Sequence, residues 1–237
     1  MKITATLNKR GFTYASLTRI GKAFIEHAAN CKEPVMDIGC AYGVMTLPLL
    51  ERGADVIAVD CSDEHISRLL ELTPNSLKFR LHPVLGRLPY VTDIPDNMIG
   101  AIYISHVLPF LKPDEIEMSV KQLYNWLVKG GKVYIVSFTP FTKLFAAYLP
   151  VYHSRKKAGI PYAGYIENLP DYSADLEFSK QLPNQLNHMD VDDFEAIFKK
   201  CGFKIEELGY FDDSESSIPD ILKYDGRERI GLIASKI

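Results

Sequence analysis

The chain lacks most of the features that would commit it to a special class of protein. Its 237 residues include only 4 cysteines, Cys31, Cys40, Cys61 and Cys201, with no C-x-x-C pair and no grouping with histidine. Reduced thiols are therefore expected, and a disulfide framework or a zinc site of ordinary spacing is excluded; no metal is expected. No apolar run is long enough to span a bilayer: the longest, Met98 to Leu111, is broken by Gly100, Ser105, His106 and Pro109. Lys2, Lys9 and Arg10 are not followed by the apolar stretch of a secretory signal, so a cytoplasmic protein with no membrane partner is expected. Neither sign of charge dominates, and a net charge of −3 gives no global drive toward nucleic acid or an anionic surface. Also missing are an internal repeat, a low-complexity tract and the Lys-Ser or Lys-Thr of a triphosphate-binding loop.

What is present is ordinary globular material with one informative stretch. Hydrophobic content of 47% and charged content of 24% suit a soluble domain, and the length suits a single domain over residues 1–237. The stretch runs Val35-Met36-Asp37-Ile38-Gly39-Cys40-Ala41-Tyr42-Gly43 and continues at Val56-Ile57-Ala58-Val59-Asp60. It reads as a buried strand, a glycine-rich turn into a helix, and a second buried strand ending in an acid. Glycines let backbone approach a ligand where a Cβ would clash, and a carboxylate after the second strand can accept both hydroxyls of a ribose. The spacing is not that of the dinucleotide fingerprint, because Val44 follows Gly43 and the third glycine comes one residue early.

The pattern resembles motif I of the class I S-adenosylmethionine-dependent methyltransferases, with Ala41 at its second glycine. Three further stretches resemble that family in order. They are Leu88-Pro89-Tyr90 leading to Asn97 through Tyr103, then Leu127-Val128-Lys129-Gly130-Gly131 before Lys132 to Ile135, then a helix ending at Cys201-Gly202-Phe203. The resemblance implies a Rossmann-like α/β fold: a doubly wound seven-stranded sheet of order 3-2-1-4-5-7-6, its last strand antiparallel. It implies S-adenosylmethionine as cofactor and S-adenosylhomocysteine as product; the methyl acceptor is unidentified, and the aromatic segment 139–189 makes a small molecule the expected one. The implied cofactor site comprises Asp37, Gly39, Cys40, Ala41 and Gly43, then Asp60 and Cys61, with Ser105 after strand four and Tyr14 from the N-terminal segment. Asp60 would hold the ribose, so Asp60→Ala is expected to cost tens-fold in cofactor affinity. Where many relatives carry an acid for the adenine amino group, this chain has Val84 or Leu85, so adenine contact is expected to rest on backbone groups.

Strands alternating with helices along the chain support the parallel sheet. Helices are expected over Ser16–Ala29, Val44–Gly53, a segment capped by Ser62, Pro113–Val128 and Asp190–Lys200. Strands are expected at Pro34–Ile38, Asp55–Asp60, Leu77–Leu81, Ile99–Ser105, Lys132–Phe138, Phe203–Phe211 and Arg229–Ile237. Residues 139–189 fit neither pattern. They are far longer than the usual connection of about 2–6 residues, leave the ligand edge of the sheet, and carry seven tyrosines and phenylalanines between Phe141 and Tyr172. This insertion after strand five is expected to cap the cofactor cleft and supply the substrate side.

His106 follows the fourth strand at that edge and is the candidate catalytic residue, a base able to take an acceptor proton near neutral pH. His153 and His188 are weaker candidates. A protein or RNA methyltransferase would instead need an open groove lined by Arg155, Lys156 and Lys157. An inactive methyltransferase-like scaffold is the third reading.

Overall fold

A computed structural model describes residues 3–8, 11–14, 16–91, 93–212 and 218–237; Lys2, Lys9 and Arg10 lie outside the described residues. In chain order the strands are β1 (Ile3–Ala5), β2 (Phe12–Tyr14), β3 (Val35–Ile38), β4 (Val56–Asp60), β5 (Leu81–Leu85), β6 (Ile99–Ser105), β7 (Leu127–Phe138), β8 (Tyr165–Ile166), β9 (Leu186–Asn187), β10 (Phe203–Tyr210) and β11 (Arg229–Lys236). The α-helices are α1 (Arg19–Ala28), α2 (Thr46–Glu51), α3 (Asp63–Leu72), α4 (Pro113–Trp126), α5 (Leu149–Lys157), α6 (Leu176–Ser179) and α7 (Val191–Lys200).

The seven-stranded sheet has the order β10-β11-β7-β6-β3-β4-β5, which is 3-2-1-4-5-7-6 read from the opposite edge. β3 to β7 are mutually parallel, and β11 runs antiparallel to both of its neighbours. Every residue of β3 and β4 is buried, as strands covered on both faces require. On one face Ile20 and Phe24 of α1, Leu49 of α2 and Leu69 of α3 pack against Val35, Val56 and Ala101. On the other, Ile116, Val120 and Leu123 of α4 and Phe194 and Phe198 of α7 meet Met36, Ile102 and Ile135. Each such fully buried large side chain contributes on the order of 1.5–3 kcal/mol.

Helix starts follow local chemistry. The Thr18 hydroxyl accepts the Gly21 N–H, Ser62 accepts His65 N–H, and Asp190 accepts Asp193 N–H, each filling an orphan donor of a first turn. Two strand boundaries differ from the sequence reading. Residues 78–80 form a turn of 3-10 helix, so the third strand of the sheet begins at Leu81. The fifth strand begins at Leu127 directly after α4: Leu127 pairs with Ile99, residues 128–131 bulge out of the ladder with Gly130 at φ +80°, and pairing resumes at Lys132 opposite Ala101. The link between β10 and β11 is also longer than a hairpin turn, and it sends Ile218 and Leu222 back onto the insertion.

Residues 139–189 form a 3-10 segment (Lys143–Tyr148), α5, the two-stranded β8–β9 pair and α6. They enclose their own apolar cluster, including Phe141, Leu144, Phe145, Tyr148, Tyr152 and Leu186. Arg155 fastens it internally by donating to the Tyr148 hydroxyl at 2.7 Å and the Tyr165 carbonyl at 2.8 Å. Lys156 reaches Asp190 at 2.7 Å, and Tyr152 donates its hydroxyl to the same carboxylate, tying α5 to the start of α7.

Candidate active site

The loop from β3 into α2 is built around two left-handed glycines, Gly39 at φ +78° and Gly43 at φ +81°. A Cβ on Gly39 would run into Val107, and one on Gly43 into Leu69, so packing as well as backbone conformation demands glycine. Ala41 also lies in the left-handed region, at φ +42°, and its N–H donates to Asp60 Oδ2 at 2.9 Å. Gly39 and Cys40 both donate to the Val59 carbonyl, at 2.8 and 3.1 Å, fastening the loop to the end of β4.

Asp37 and Asp60 stand at the carboxyl ends of neighbouring strands and are 3% and 6% exposed. Asp37 accepts the Thr46 hydroxyl at 2.6 Å, which binds the strand end to α2 across the loop. Burial pushes its pKa up to about 7, against the lowering effect of the Thr46 bond and with help from the Asp60 charge. The Asp60 carboxylate accepts three donors: Ala41 N–H on Oδ2, and Ser62 N–H and the His65 ring on Oδ1, both at 3.0 Å.

These groups open onto a cavity of about 250 Å³ that continues beneath the insertion. Its lining combines Asp37, Gly39, Ala41, Asp60 and Cys61 from the sheet edge with Thr142, Leu144, Phe145, Leu186 and His188 from the insertion. Tyr14, Ser105, His106, Phe138 and Arg229 line it as well. The His106 ring stacks on Phe138 with centroids 4.3 Å apart and lies 5.4 Å from Tyr14. Its backbone is left-handed at φ +56°, an uncommon conformation for a non-glycine residue and one that clusters at functional sites.

Ser16 Oγ, His106 Nδ1, Thr142 Oγ1 and His188 Nδ1, all on cavity-lining residues, are buried without a hydrogen-bond partner among the described residues. Orphaned polar atoms around an enclosed space are what a polar ligand would satisfy. Burial, with the charge of Arg229 adding, pushes the His106 pKa down to about 3, and burial alone pushes that of His188 to about 4. The expectation of a base titrating near neutral pH is corrected here. Packed against Phe138 and near the Arg229 charge, the His106 ring is held toward its neutral form.

Residues 35–131 match the family model of a methyltransferase domain. An uncharacterized methyltransferase of Staphylococcus carnosus is 28% identical over 159 residues, 64% of this chain and 72% of the relative. A carboxy-S-adenosyl-L-methionine synthase of Trichlorobacter lovleyi is 25% identical over 211 residues, 84% of this chain and 79% of the relative. Among solved structures, a methyltransferase of Methanosarcina mazei superposes with a TM-score of 0.65 at 17% identity, covering 94% of this chain and 99% of that one. Residues 35–131 thus match a methyltransferase domain, and the chain has the fold of the S-adenosylmethionine-dependent methyltransferase it superposes on. The cavity residues of the glycine loop and sheet edge fit that cofactor: a turn that admits backbone, two carboxylates at adjacent strand ends, and unmatched polar atoms nearby. Among the described residues, no cluster of histidine, cysteine, aspartate or glutamate could hold a metal ion.

The fold brings Asp37, Gly39, Cys40, Ala41, Asp60, Cys61, Ser105, His106 and Tyr14 to one cavity; Gly43 shapes the loop without lining it. His153 is exposed and outside the cavity, whereas His188 lines it. Leu85 is exposed, and Gly86, Arg87 and Leu88 line the cavity instead. Two contributors were not expected from sequence, His65 behind Asp60 and the β1–β2 hairpin across the cavity. His65 had one visible signal, its position three residues after the Ser62 cap, which turns it back toward the strand end.

Proposed function

We propose that this protein transfers the methyl group of S-adenosylmethionine to a small-molecule acceptor held between the sheet edge and the insertion 139–189. The observation that carries this reading is a single cavity lined both by the glycine loop and Asp60 and by Thr142, Phe145 and His188 of the insertion. The bound cofactor brings an activated methyl and its own leaving group, so the protein has chiefly to align and dehydrate. Asp60 offers its carboxylate to the ribose; Gly39, Cys40 and Ala41 present backbone, and Cys61 follows Asp60 in the lining. Asp37, with its pKa near 7, is placed to favour a cationic amino group, while Ser105 and Tyr14 bound the space between cofactor and acceptor.

The neutral His106 and His188 offer hydrogen bonds and walls, not strong bases. The acceptor atom therefore enters already nucleophilic. The synthase relative is named for a small-molecule product, in keeping with an enclosed site. The alternative of a protein or RNA substrate needs Arg155 and Lys156 free along a groove, and both are engaged in holding the insertion.

The test is calorimetric titration with S-adenosylhomocysteine and, for comparison, NADH. Transfer from labelled S-adenosylmethionine to small acids, phenols, thiols and amines, to peptides and to RNA follows. Micromolar binding of S-adenosylhomocysteine alone, with label passing only to small molecules, is expected. No binding, or label in peptide or RNA, overturns the reading.

A further inference from the structure

The β1–β2 hairpin does not join the seven-stranded sheet; it crosses the cavity and is tied down on both sides. Toward the glycine loop, Leu7 N–H donates to His65 Nε2 at 3.1 Å and the Tyr42 hydroxyl donates to the Ala5 carbonyl at 3.1 Å. Toward the insertion, Gly11 N–H donates to the Gln181 carbonyl at 2.6 Å, and the Phe12 ring lies 4.6 Å from that of Phe178. Between these ties Thr6, Phe12 and Tyr14 line the cavity.

His65 joins the hairpin to the cofactor carboxylate, and its geometry leaves one arrangement of protons. A backbone N–H can only donate, so Nε2 must present its lone pair to Leu7. In the neutral ring the proton then sits on Nδ1, which lies 3.0 Å from Asp60 Oδ1 and donates to it. The ring is 1% exposed, and Tyr42 packs edge-on against it at 5.3 Å. Hairpin, imidazole and carboxylate thus form one chain of hydrogen bonds. Lifting the hairpin removes the only protein donor on Nε2 among the described residues and leaves the ring anchored at Asp60 alone.

We propose that His65 is a positioning residue that couples seating of the N-terminal hairpin to the Asp60 carboxylate, so that the hairpin gates the cofactor end of the cavity. The proposal rests on the reading of Asp60 as a cofactor-binding group. A neutral hydrogen bond shifts an equilibrium by a factor of roughly five, enough to hold a lid that must still open.

Two substitutions separate the halves of the relay. His65→Asn keeps a donor near the Nδ1 position for Asp60 and loses the acceptor for Leu7. His65→Gln reaches the Nε2 position, keeps that acceptor and loses the donor to Asp60. Stopped-flow measurement of S-adenosylhomocysteine binding reads both. His65→Asn is expected to speed association and dissociation together, each by roughly fivefold, with affinity little changed. His65→Gln is expected to keep wild-type association and lose affinity. Damage of a merely structural kind would slow association. Amide exchange at Leu7 in the wild type supplies a measurement that needs no variant, with protection expected to rise about tenfold or more when S-adenosylhomocysteine is bound. Unchanged rates in His65→Asn, slower association, or Leu7 exchange indifferent to the ligand overturns the proposal. A wild type that does not bind S-adenosylhomocysteine overturns the reading of Asp60 as well, so the two failures are told apart.

Discussion

Truncating Asp60 is expected to damage the fold before it reports on the cofactor. Its carboxylate holds the Ala41 N–H at 2.9 Å and both the Ser62 N–H and the His65 ring at 3.0 Å. All three donor residues are buried, at 8%, 5% and 1% exposure. A hydrogen bond to a charged group is worth about 1.5–3 kcal/mol, and a buried donor left unmatched costs about 1–3 kcal/mol. Cavity water can reach some of these donors and reduce the sum. Asp60→Ala is therefore expected to lose about 3–6 kcal/mol, a large part of the roughly 5–15 kcal/mol that holds a domain folded. For a chain of this size the melting midpoint should fall by about 10–20 °C. Asp60→Asn keeps the volume and one acceptor and is expected to lose about half as much. Scanning calorimetry without ligand measures both, followed by S-adenosylhomocysteine titration well below the lowered midpoints. An alanine variant melting within about 2 °C of wild type would refute the argument, since the three donors would then not depend on the carboxylate.

Three other outcomes are expected. Asp37 has a folded pKa of about 7, above the ~3.9 of an unfolded aspartate, so its burial makes native stability fall as pH rises from ~4 to about 7. Asp37→Asn, which mimics the protonated acid and can still accept from Thr46, should match wild type near pH ~4 and exceed it by about 2–4 kcal/mol at pH ~8 in denaturant unfolding; equal pH slopes would refute this. The ring resonances of His106 and His188 should stay in the neutral form down to about pH 5 in NMR titrations, whereas a midpoint near 6.5 for either would contradict their burial. Asp190→Ala removes the α7 cap, the Lys156 pair and the Tyr152 bond together, and should cost about 2–4 kcal/mol with faster amide exchange through α5. Exchange confined to α7 would show that the insertion is held elsewhere.

Much of the sheet was legible because its inner strands are buried on both faces. Val56 to Val59 is an unbroken apolar run, and a run of that kind has few other homes. The edges were less legible for the same physical reason. β5 borders solvent on one side, and only Leu81 of its five residues is buried, so no run marked its start. β1 and β2 have three residues each, too few to display an alternation. The role of the β10–β11 connection was not legible either, because it depends on Ile218 and Leu222 packing into the cluster of the insertion.

The two parts of the cavity lining differ in legibility because they rest on different chemistry. The glycine loop uses main-chain groups, which lie where φ permits, so Gly39 and Gly43 must occupy fixed positions in the sequence and their spacing is visible there. The part lined by the insertion uses side chains whose properties come from burial. His106 reads as an ordinary titrating histidine until Phe138 and Arg229 surround it. His188 gains meaning only once it is enclosed beneath the insertion, and His65 only once Leu7 is brought to its far nitrogen. None of these contacts requires a fixed interval along the chain. The insertion side of the cavity therefore leaves no spacing to find in the sequence, and it has to be read from structure.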